Sequence, residues 1–209
     1  MLPLPDASLA VICAADESVA ARSLADTSYG RLEGDSAIAV SAGAAFDVRG
    51  VRGSLDLRYR YLHSAGIFVT YEEGFGAGSE PLRLVVAGLE LRPLFLGRFL
   101  QGHEIGVARL DLLIDSLAFE LGAFAAQPAQ GNFADAAGLS FGIGAELPLL
   151  PRASGPYVAF RAALRWSREA LSAAEPTTVD VEAFVFTVAL GWQATFGAHV
   201  VDVGDTPPR

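Results

Sequence analysis

The sequence contains one short string that is typical of a catalytic serine. Residues 138–142 read Gly-Leu-Ser-Phe-Gly, which matches the G-x-S-x-G nucleophile elbow of hydrolases and puts Ser140 in the position of the nucleophile. That elbow requires a strand, a sharp turn and then a helix. After Gly142 the chain continues as Ile-Gly-Ala-Glu-Leu and still alternates, which favours an uninterrupted strand. Glycines that pack closely inside a sheet explain the string equally well, so we predict no catalytic role for Ser140.

The three histidines are dispersed along the chain. His63 precedes Ser64, but adjacent strand residues point to opposite faces, so the two can pair only where a turn reorients them. His103 is followed by Glu104 without a second histidine at helical spacing, which excludes the zinc-protease motif. His199 lies in a polar C-terminal tail. We therefore expect no metal site, no cofactor and no enzyme activity.

The composition excludes nucleic acid as a partner. The chain has 209 residues, of which 52% are hydrophobic and 19% charged, and its formal net charge is −9. A surface that binds nucleic acid must be basic, because it displaces counterions from phosphates.

The sequence predicts no transmembrane helix, because it contains no run of about 18 apolar residues.

The two ends of the chain differ from its middle. Residues 1–35 mix carboxylates with alanines and serines and show no strand period, so we interpret them as a leader or tail. The first residues have no positively charged region and carry Asp6, so no signal peptide is evident. Cys13 is the only cysteine, and we expect a free thiol. The predicted division is this leader or tail, a β-barrel over 36–197 and a polar tail over 198–209.

The clearest structural signal is the alternation over residues 181–196. Its even positions from Phe184 to Phe196 are apolar and mostly large, whereas its odd positions from Val185 to Thr195 are mostly small or polar. A period of two with β-branched and aromatic enrichment indicates a strand. The same pattern recurs along the chain and predicts eight strands. They are 36–48, 54–62, 66–73, 82–92, 116–124, 138–147, 157–167 and 181–196.

Three connecting stretches give weaker signals. The glycines of residues 50–53 indicate a turn. Residues 63–65 are either a turn or the middle of one very long strand, because the alternation continues through them. Residues 94–113 show no sustained period, so a helical turn, an interfacial segment and another strand are all open.

The second face of the predicted strands is small and carries balanced charges. Most of its residues are Gly, Ala, Ser or Thr, which suit the crowded inside of a narrow barrel. An isolated buried charge costs several kcal/mol, so charges enclosed there should be paired. We predict an ion-pair network in the lumen that plugs the barrel, the alternative being a selective pore. Its members are Asp56, Arg58, Arg60, Glu72, Glu90, Arg92, Glu120, Glu146, Arg161 and Arg165.

The apolar face has aliphatic residues in mid-strand and aromatic residues nearer the strand ends. Lipid-facing strands of about 10 residues with aromatic girdles have this layout. The predicted aromatic anchors are Tyr59, Tyr61, Tyr71, Trp166, Trp192 and Phe196. A closed barrel is the β structure that leaves no unpaired edge in lipid. The predicted fold is therefore all-β, an eight-stranded antiparallel up-and-down transmembrane β-barrel.

On this pattern the chain resembles the small outer-membrane β-barrel proteins of Gram-negative bacteria, over about residues 36–196. The strand that ends in Trp192 and Phe196 is similar to the terminal strand by which such barrels are recognised for assembly, although thirteen residues follow Phe196 here. The resemblance implies a location in the outer membrane and contact with membrane lipid. It also implies a porin-like, structural or adhesive role, or a role in the passage of small solutes.

Two other functional classes give different expectations. A barrel enzyme acting on membrane lipid predicts a histidine and a serine or aspartate clustered at one rim. A soluble lipocalin-like binding protein predicts that the apolar face lines a ligand cavity inside the barrel.

Overall fold

The computed structural model describes residues 29–31, 34–75, 80–168 and 182–198, and these contain eight strands and two helices. The predicted leader over 1–35 and polar tail over 198–209 fall mostly outside the described residues, together with Cys13 and His199. The strands are β1 (Ser36–Asp47), β2 (Gly50–Tyr61), β3 (Ala65–Gly74), β4 (Arg83–Leu91), β5 (Ala118–Gln127), β6 (Ala136–Pro148), β7 (Gly155–Ser167) and β8 (Glu182–Phe196).

Each strand pairs antiparallel with its neighbours in the chain, and β1 closes the sheet by pairing with β8. Ser36 at the start of β1 lies opposite Phe196 at the end of β8. Closure leaves none of these strands with an unpaired edge. The predicted eight-stranded antiparallel up-and-down barrel is confirmed. We call the end where β1 begins and β8 ends the terminal end, and the other the opposite end.

The two faces of the sheet have the orientation that the alternation predicts. Large apolar side chains point outward and stay exposed, as for Leu57 at 54% and Leu121 at 58%. Ala37, Ala39 and other small residues point inward and are buried. A soluble lipocalin-like barrel requires the reverse arrangement, with apolar residues lining the interior.

The turns of the barrel refine the predicted boundaries. Leu62 and His63 adopt left-handed backbone conformations, with φ of 48° and 51°, in a three-residue turn between β2 and β3. The prediction of a turn at residues 50–53 is wrong, because Gly50 already begins β2 and only Val48 and Arg49 connect it to β1. The ladder continues there with Arg52 paired to Ala45.

Residues 92–117, which include the stretch with no readable period, form a helical cap. Helix α1 (Pro93–Gln101) begins at a proline, whose missing N–H costs nothing in the first turn of a helix, and α2 (Ala108–Asp115) follows. Both lie in the connection from β4 to β5, which is at the terminal end. Within the described ranges, neither helix has the length or the apolar composition needed to cross a bilayer.

Small residues make room for bulky groups inside the barrel. A side chain at Gly191 would lie 2.5 Å from the ring of Tyr157, which is itself buried inside. A side chain at Gly144 would lie 3.0 Å from a carboxylate oxygen of Glu120. The glycines of the inner face therefore create the space that the aromatic and charged side chains occupy.

Candidate functional site

All ten residues of the predicted lumen network are inside the barrel. Nine of them lie on strands β2 to β7, and Arg92 directly follows β4. All ten side chains point into the lumen, and each is at most 8% exposed. Every one of them takes part in at least one ion pair with another member. Those pairs involve Asp56, Arg58, Arg60, Glu72, Glu90, Arg92, Glu120, Glu146, Arg161 and Arg165.

Glu90 is the centre of the pairs nearer the terminal end. Nη1 of Arg58 lies 2.5 Å from one oxygen of Glu90, and Nε of Arg60 lies 2.8 Å from the other. Nε of Arg92 donates to Glu90 at 2.6 Å, and its Nη2 donates to Glu146 at 2.7 Å. Three guanidinium groups thus share one buried carboxylate, which suits arginine because its planar fork has five donors.

Glu72 is the centre of a second group nearer the opposite end. Arg165 donates to both of its oxygens, at 2.5 and 3.0 Å, and Nε of Arg52 donates to it at 2.9 Å. Such two-pronged contacts are among the strongest that a carboxylate makes. Arg161 belongs to the first group, since it lies 3.2 Å from Asp56, 3.3 Å from Glu120 and 3.4 Å from Glu146.

Arg52 is a member that the sequence interpretation missed. It is 2% exposed and lies 2.6 Å from Asp47 as well as close to Glu72. The signal was present, because Arg52 continues the inward parity of Ser54 and Asp56. Arg52 was missed because residues 50–53, which include two glycines, were assigned to a turn.

Uncharged groups complete the network. The guanidinium of Arg58 lies 4.9 Å from the ring centroid of Phe68, a cation–π contact. Thr70 donates to Asp56 at 2.5 Å, and Arg60 donates to the side-chain oxygen of Gln193 at 2.5 Å.

The space left inside the barrel beside this network is small. The cavity bordered by Asp56 and Arg165 measures about 30 Å³. A volume of that size admits a few water molecules at most.

The helical cap closes the terminal end over this network. Phe95 of α1 is 3% exposed, and the guanidinium of Arg31 lies 5.2 Å from its ring centroid. Arg31 pairs with Asp115 and, at 2.6 Å, with Glu104. Residues 29–31, which the sequence interpretation assigned to a leader or tail, therefore contact the cap. A cavity of about 40 Å³ lies beneath it beside His63.

Asp111 holds the cap together. It is fully buried and accepts backbone hydrogen bonds from Ile105 at 2.9 Å and Gly106 at 3.0 Å. It also accepts from the Arg98 guanidinium and, at 3.2 Å, from the Tyr29 hydroxyl. Burial raises the pKa of Asp111, but these donors outweigh burial, so the pKa is lowered. The charged carboxylate is the form that this site stabilises.

His63 is a buried histidine beneath the same cap. It is 5% exposed, its ring lies 6.2 Å from that of Phe95, and its Nε2 has no hydrogen-bond partner among the described residues. Burial lowers the pKa of His63 to about 3, with a further contribution from the positive charge of Arg92. The imidazole is therefore neutral at physiological pH.

The residues that invited a catalytic interpretation lie apart from one another. Ser140 is in the middle of β6, with strand on both sides, and not at the strand-to-helix turn that a nucleophile elbow requires. His63 and Ser64 are both buried in the turn after β2. His103 lies in the exposed link between the helices. No group of three or more potential metal ligands occurs in the part of the chain that the structure describes.

The predicted aromatic anchors divide between the two ends of the barrel. All six belong to the outward face, and Trp192 is 61% exposed. Tyr59, Tyr61, Trp192 and Phe196 lie towards the terminal end, where Ser36 pairs with both Tyr61 and Phe196. Tyr71 and Trp166 lie towards the opposite end. Aromatic side chains near both ends of an apolar outer face are typical of a membrane-spanning barrel.

Comparison with known proteins adds only a distant structural likeness. No protein-family model matches the chain, and no curated protein matches it. Two solved structures of Ail, the attachment invasion locus protein of Yersinia pestis, are similar, one of them in complex with the heparin analogue sucrose octasulfate. Each is 12% identical and has a TM-score of 0.35 over 76% of this chain and 96% of the other. The strand number, antiparallel order and closure found here are those of the small outer-membrane barrels that the sequence resembles.

Proposed function

We propose that this protein is an outer-membrane barrel that does not conduct solutes and serves a structural or adhesive role. The exposed apolar belt around a closed barrel carries the proposal. Side chains such as Leu57, Leu121 and Ile143 are more than half exposed along that belt. In water they would form a patch far larger than a soluble monomer tolerates, whereas in lipid they are solvated.

Strand length supports the membrane location. The eight strands have 9 to 15 residues. A strand tilted by about 45° needs about 9–11 residues to cross the hydrocarbon core of a bilayer. The aromatic bands near both ends supply the side chains that favour the lipid–water interfaces.

The filled interior supports a role without solute transport. Charged side chains occupy the lumen of a barrel whose strand number leaves space for little else. The cap covers one end, and its Asp115 and Glu104 form ion pairs with Arg31. A small-solute role would need these pairs to open together.

Conductance across a planar lipid bilayer tests this proposal. Protein folded into phospholipid vesicles should insert and leave the membrane electrically silent, whereas an open porin in the same bilayer gives discrete steps. A variant that shortens three inner side chains, Glu72→Ala, Arg165→Ala and Arg52→Ala, should conduct if it still folds. Regular conductance steps from the wild-type protein would contradict the plugged interior.

A further inference from the structure

The outer surface of the barrel carries an apolar groove that borders the cap at the terminal end. Its volume is about 380 Å³, within the range of about 300–1,000 Å³ that is typical of small-molecule sites. The floor is formed where the outward residues of β6 and β7 become small, at Ala145 and Ala162. Phe119, Phe160 and Phe186 are among the residues that border it, and Leu94 of α1 lies at its edge on the cap.

The position of the groove favours a lipid acyl chain as the occupant. It is continuous with the exposed apolar belt, so a chain lying in it would be an ordered part of the surrounding lipid. The rings that border it remain 38% to 50% exposed. An acyl chain in the groove covers the exposed apolar area of these rings, and this contact requires no polar partner.

Two exposed arginines lie beyond the groove at the terminal end. Nη2 of Arg109 in α2 donates to the carbonyl oxygen of Leu149 at 3.1 Å, which fixes Arg109 over the turn between β6 and β7. Arg152 is exposed in that same turn. From Ala145 in the groove to Leu149 is four residues, or about 14 Å along the strand. A phosphate attached through glycerol to a chain in the groove can reach this distance.

The charge at this edge contrasts with the rest of the chain. The formal net charge of the protein is −9, yet the exposed charges of α2 and the β6–β7 turn are arginines. The carboxylates of α2, Asp111 and Asp115, are buried and bonded to Arg98. Guanidinium groups near a bilayer surface attract anionic headgroups.

We propose that this groove binds one anionic glycerophospholipid, with an acyl chain against Ala145 and Ala162 and the phosphate at Arg109 and Arg152. The inference rests on the proposed membrane location. It adds a specific lipid site to what would otherwise be uniform solvation by the bilayer.

Native mass spectrometry of the full chain released from detergent micelles tests the site. The probe is palmitoyl-oleoyl phosphatidylglycerol, compared with phosphatidylcholine of the same chains. We expect one retained phosphatidylglycerol per barrel. Filling the groove with Ala162→Phe or, separately, Ala145→Phe should weaken its binding by about tenfold, and Arg109→Gln with Arg152→Gln should do the same.

Two matched controls lie outside the groove. Ala42→Phe makes the same change on the exposed outer face of β1, and Arg83→Gln removes an exposed arginine at the opposite end. Both should bind the lipid within twofold of wild type. Unchanged binding in both groove-filled variants, equal binding of phosphatidylcholine, or dimers in place of a lipid-bound monomer would overturn the inference.

Gel mobility separates this failure from failure of the membrane location. If a variant loses lipid binding but keeps the heat-dependent mobility of a folded barrel, the result concerns the groove and leaves the membrane location unaffected. A wild-type chain that stays folded in water and never enters micelles would overturn the membrane proposal itself.

Discussion

At the scale of single residues, we expect the largest loss of stability from removing the arginines and carboxylates inside the barrel, because they are buried and paired. Glu72 is fully buried and has two guanidinium partners, Arg165 and Arg52. Removing Glu72 leaves Arg165 buried without a carboxylate, whereas Arg52 keeps Asp47. All fifteen basic residues of the chain are arginine, so every cation of this interior keeps its charge when buried.

We predict that Glu72→Gln lowers the free energy of unfolding by about 3–5 kcal/mol, because Arg165 then loses its carboxylate. The double variant Glu72→Gln with Arg165→Met should cost at least about 2 kcal/mol less than the sum of the two single variants. Urea titration of the folded barrel in phospholipid vesicles measures all three.

The exposed pair of Glu73 and Arg83 is the matched control for this cycle. Its atoms lie 3.2 Å apart, but the side chains are 32% and 56% exposed. A coupling energy within about 1 kcal/mol is expected for it. Strictly additive effects at Glu72 and Arg165 would mean that the buried pair is not energetically coupled.

His63 gives the barrel a pH dependence of defined sign. Its pKa is lowered to about 3 in the folded state, against about 6.5 in an unfolded chain, so the unfolded state binds more protons between these values. Stability should therefore fall as the pH falls below 6.5, by at most about 1.4 kcal/mol per pH unit from this group. His63→Leu should flatten the profile between pH 6.5 and 4.5.

Urea midpoints measured at several pH values test the role of His63. His103→Leu removes an exposed imidazole from the cap and is expected to keep the wild-type profile. If His63→Leu and wild type lose stability in parallel over this range, the buried imidazole is not the source of the pH dependence.

At the scale of elements, the strands were predictable and the cap was not. A strand with one apolar outer face and one small or charged inner face repeats every two residues, so the alternation around Trp192 or Leu57 was enough to define it. The turn at Leu62–Ser64 has three residues, and an odd number preserves the parity on both sides. The pattern alone therefore could not separate this turn from a longer strand.

The helices were missed for a different reason. The helices are held by hydrogen bonds to Asp111 and by the ion pair of Asp115 with Arg31, which is distant in sequence. A hydrophobic period within residues 92–117 does not encode such contacts. The partners inside the lumen were predictable as a set, because balanced charges on an enclosed face must pair. Which arginine contacts Glu72 or Glu90 depends on strand register and tilt, which the composition of each face does not encode.

We predict that Asp111→Ala loosens the cap without unfolding the barrel. The carboxylate accepts hydrogen bonds from Ile105, Gly106, Arg98 and Tyr29, so its loss removes the acceptor that these four donors share. Amide hydrogen exchange in α1 and α2 should become about tenfold faster or more, while strand amides stay protected.

The control for the cap is Asp135→Ala. Asp135 accepts a backbone hydrogen bond from Asn132 at 2.6 Å in the loop between β5 and β6, at the opposite end. It should leave exchange in the helices unchanged. Equal acceleration of strand and helix amides in Asp111→Ala would mean that the cap and barrel unfold as one unit.

At the scale of the whole molecule, the exposed apolar belt decides which solvent surrounds the barrel. Leu57 lies in the middle of β2 with 54% of its surface exposed, and Val48 lies in the β1–β2 turn with 93% exposed. Leu57→Arg should lower the free energy of unfolding in vesicles by about 2–4 kcal/mol, because a charge then faces hydrocarbon. Val48→Arg should change it by less than about 0.5 kcal/mol. Equal effects at the two positions would place both in water.

The most direct measurement of the central claim is gel mobility in SDS, with and without boiling, of protein folded into phospholipid vesicles or detergent micelles. A closed barrel whose outer face is solvated by lipid, and whose interior is held by ion pairs, should resist SDS until it is heated. We therefore predict two bands, with the unboiled protein at a different apparent mass from the boiled one. A single band under both conditions, from a chain that folds and stays dissolved without detergent, would contradict the membrane barrel.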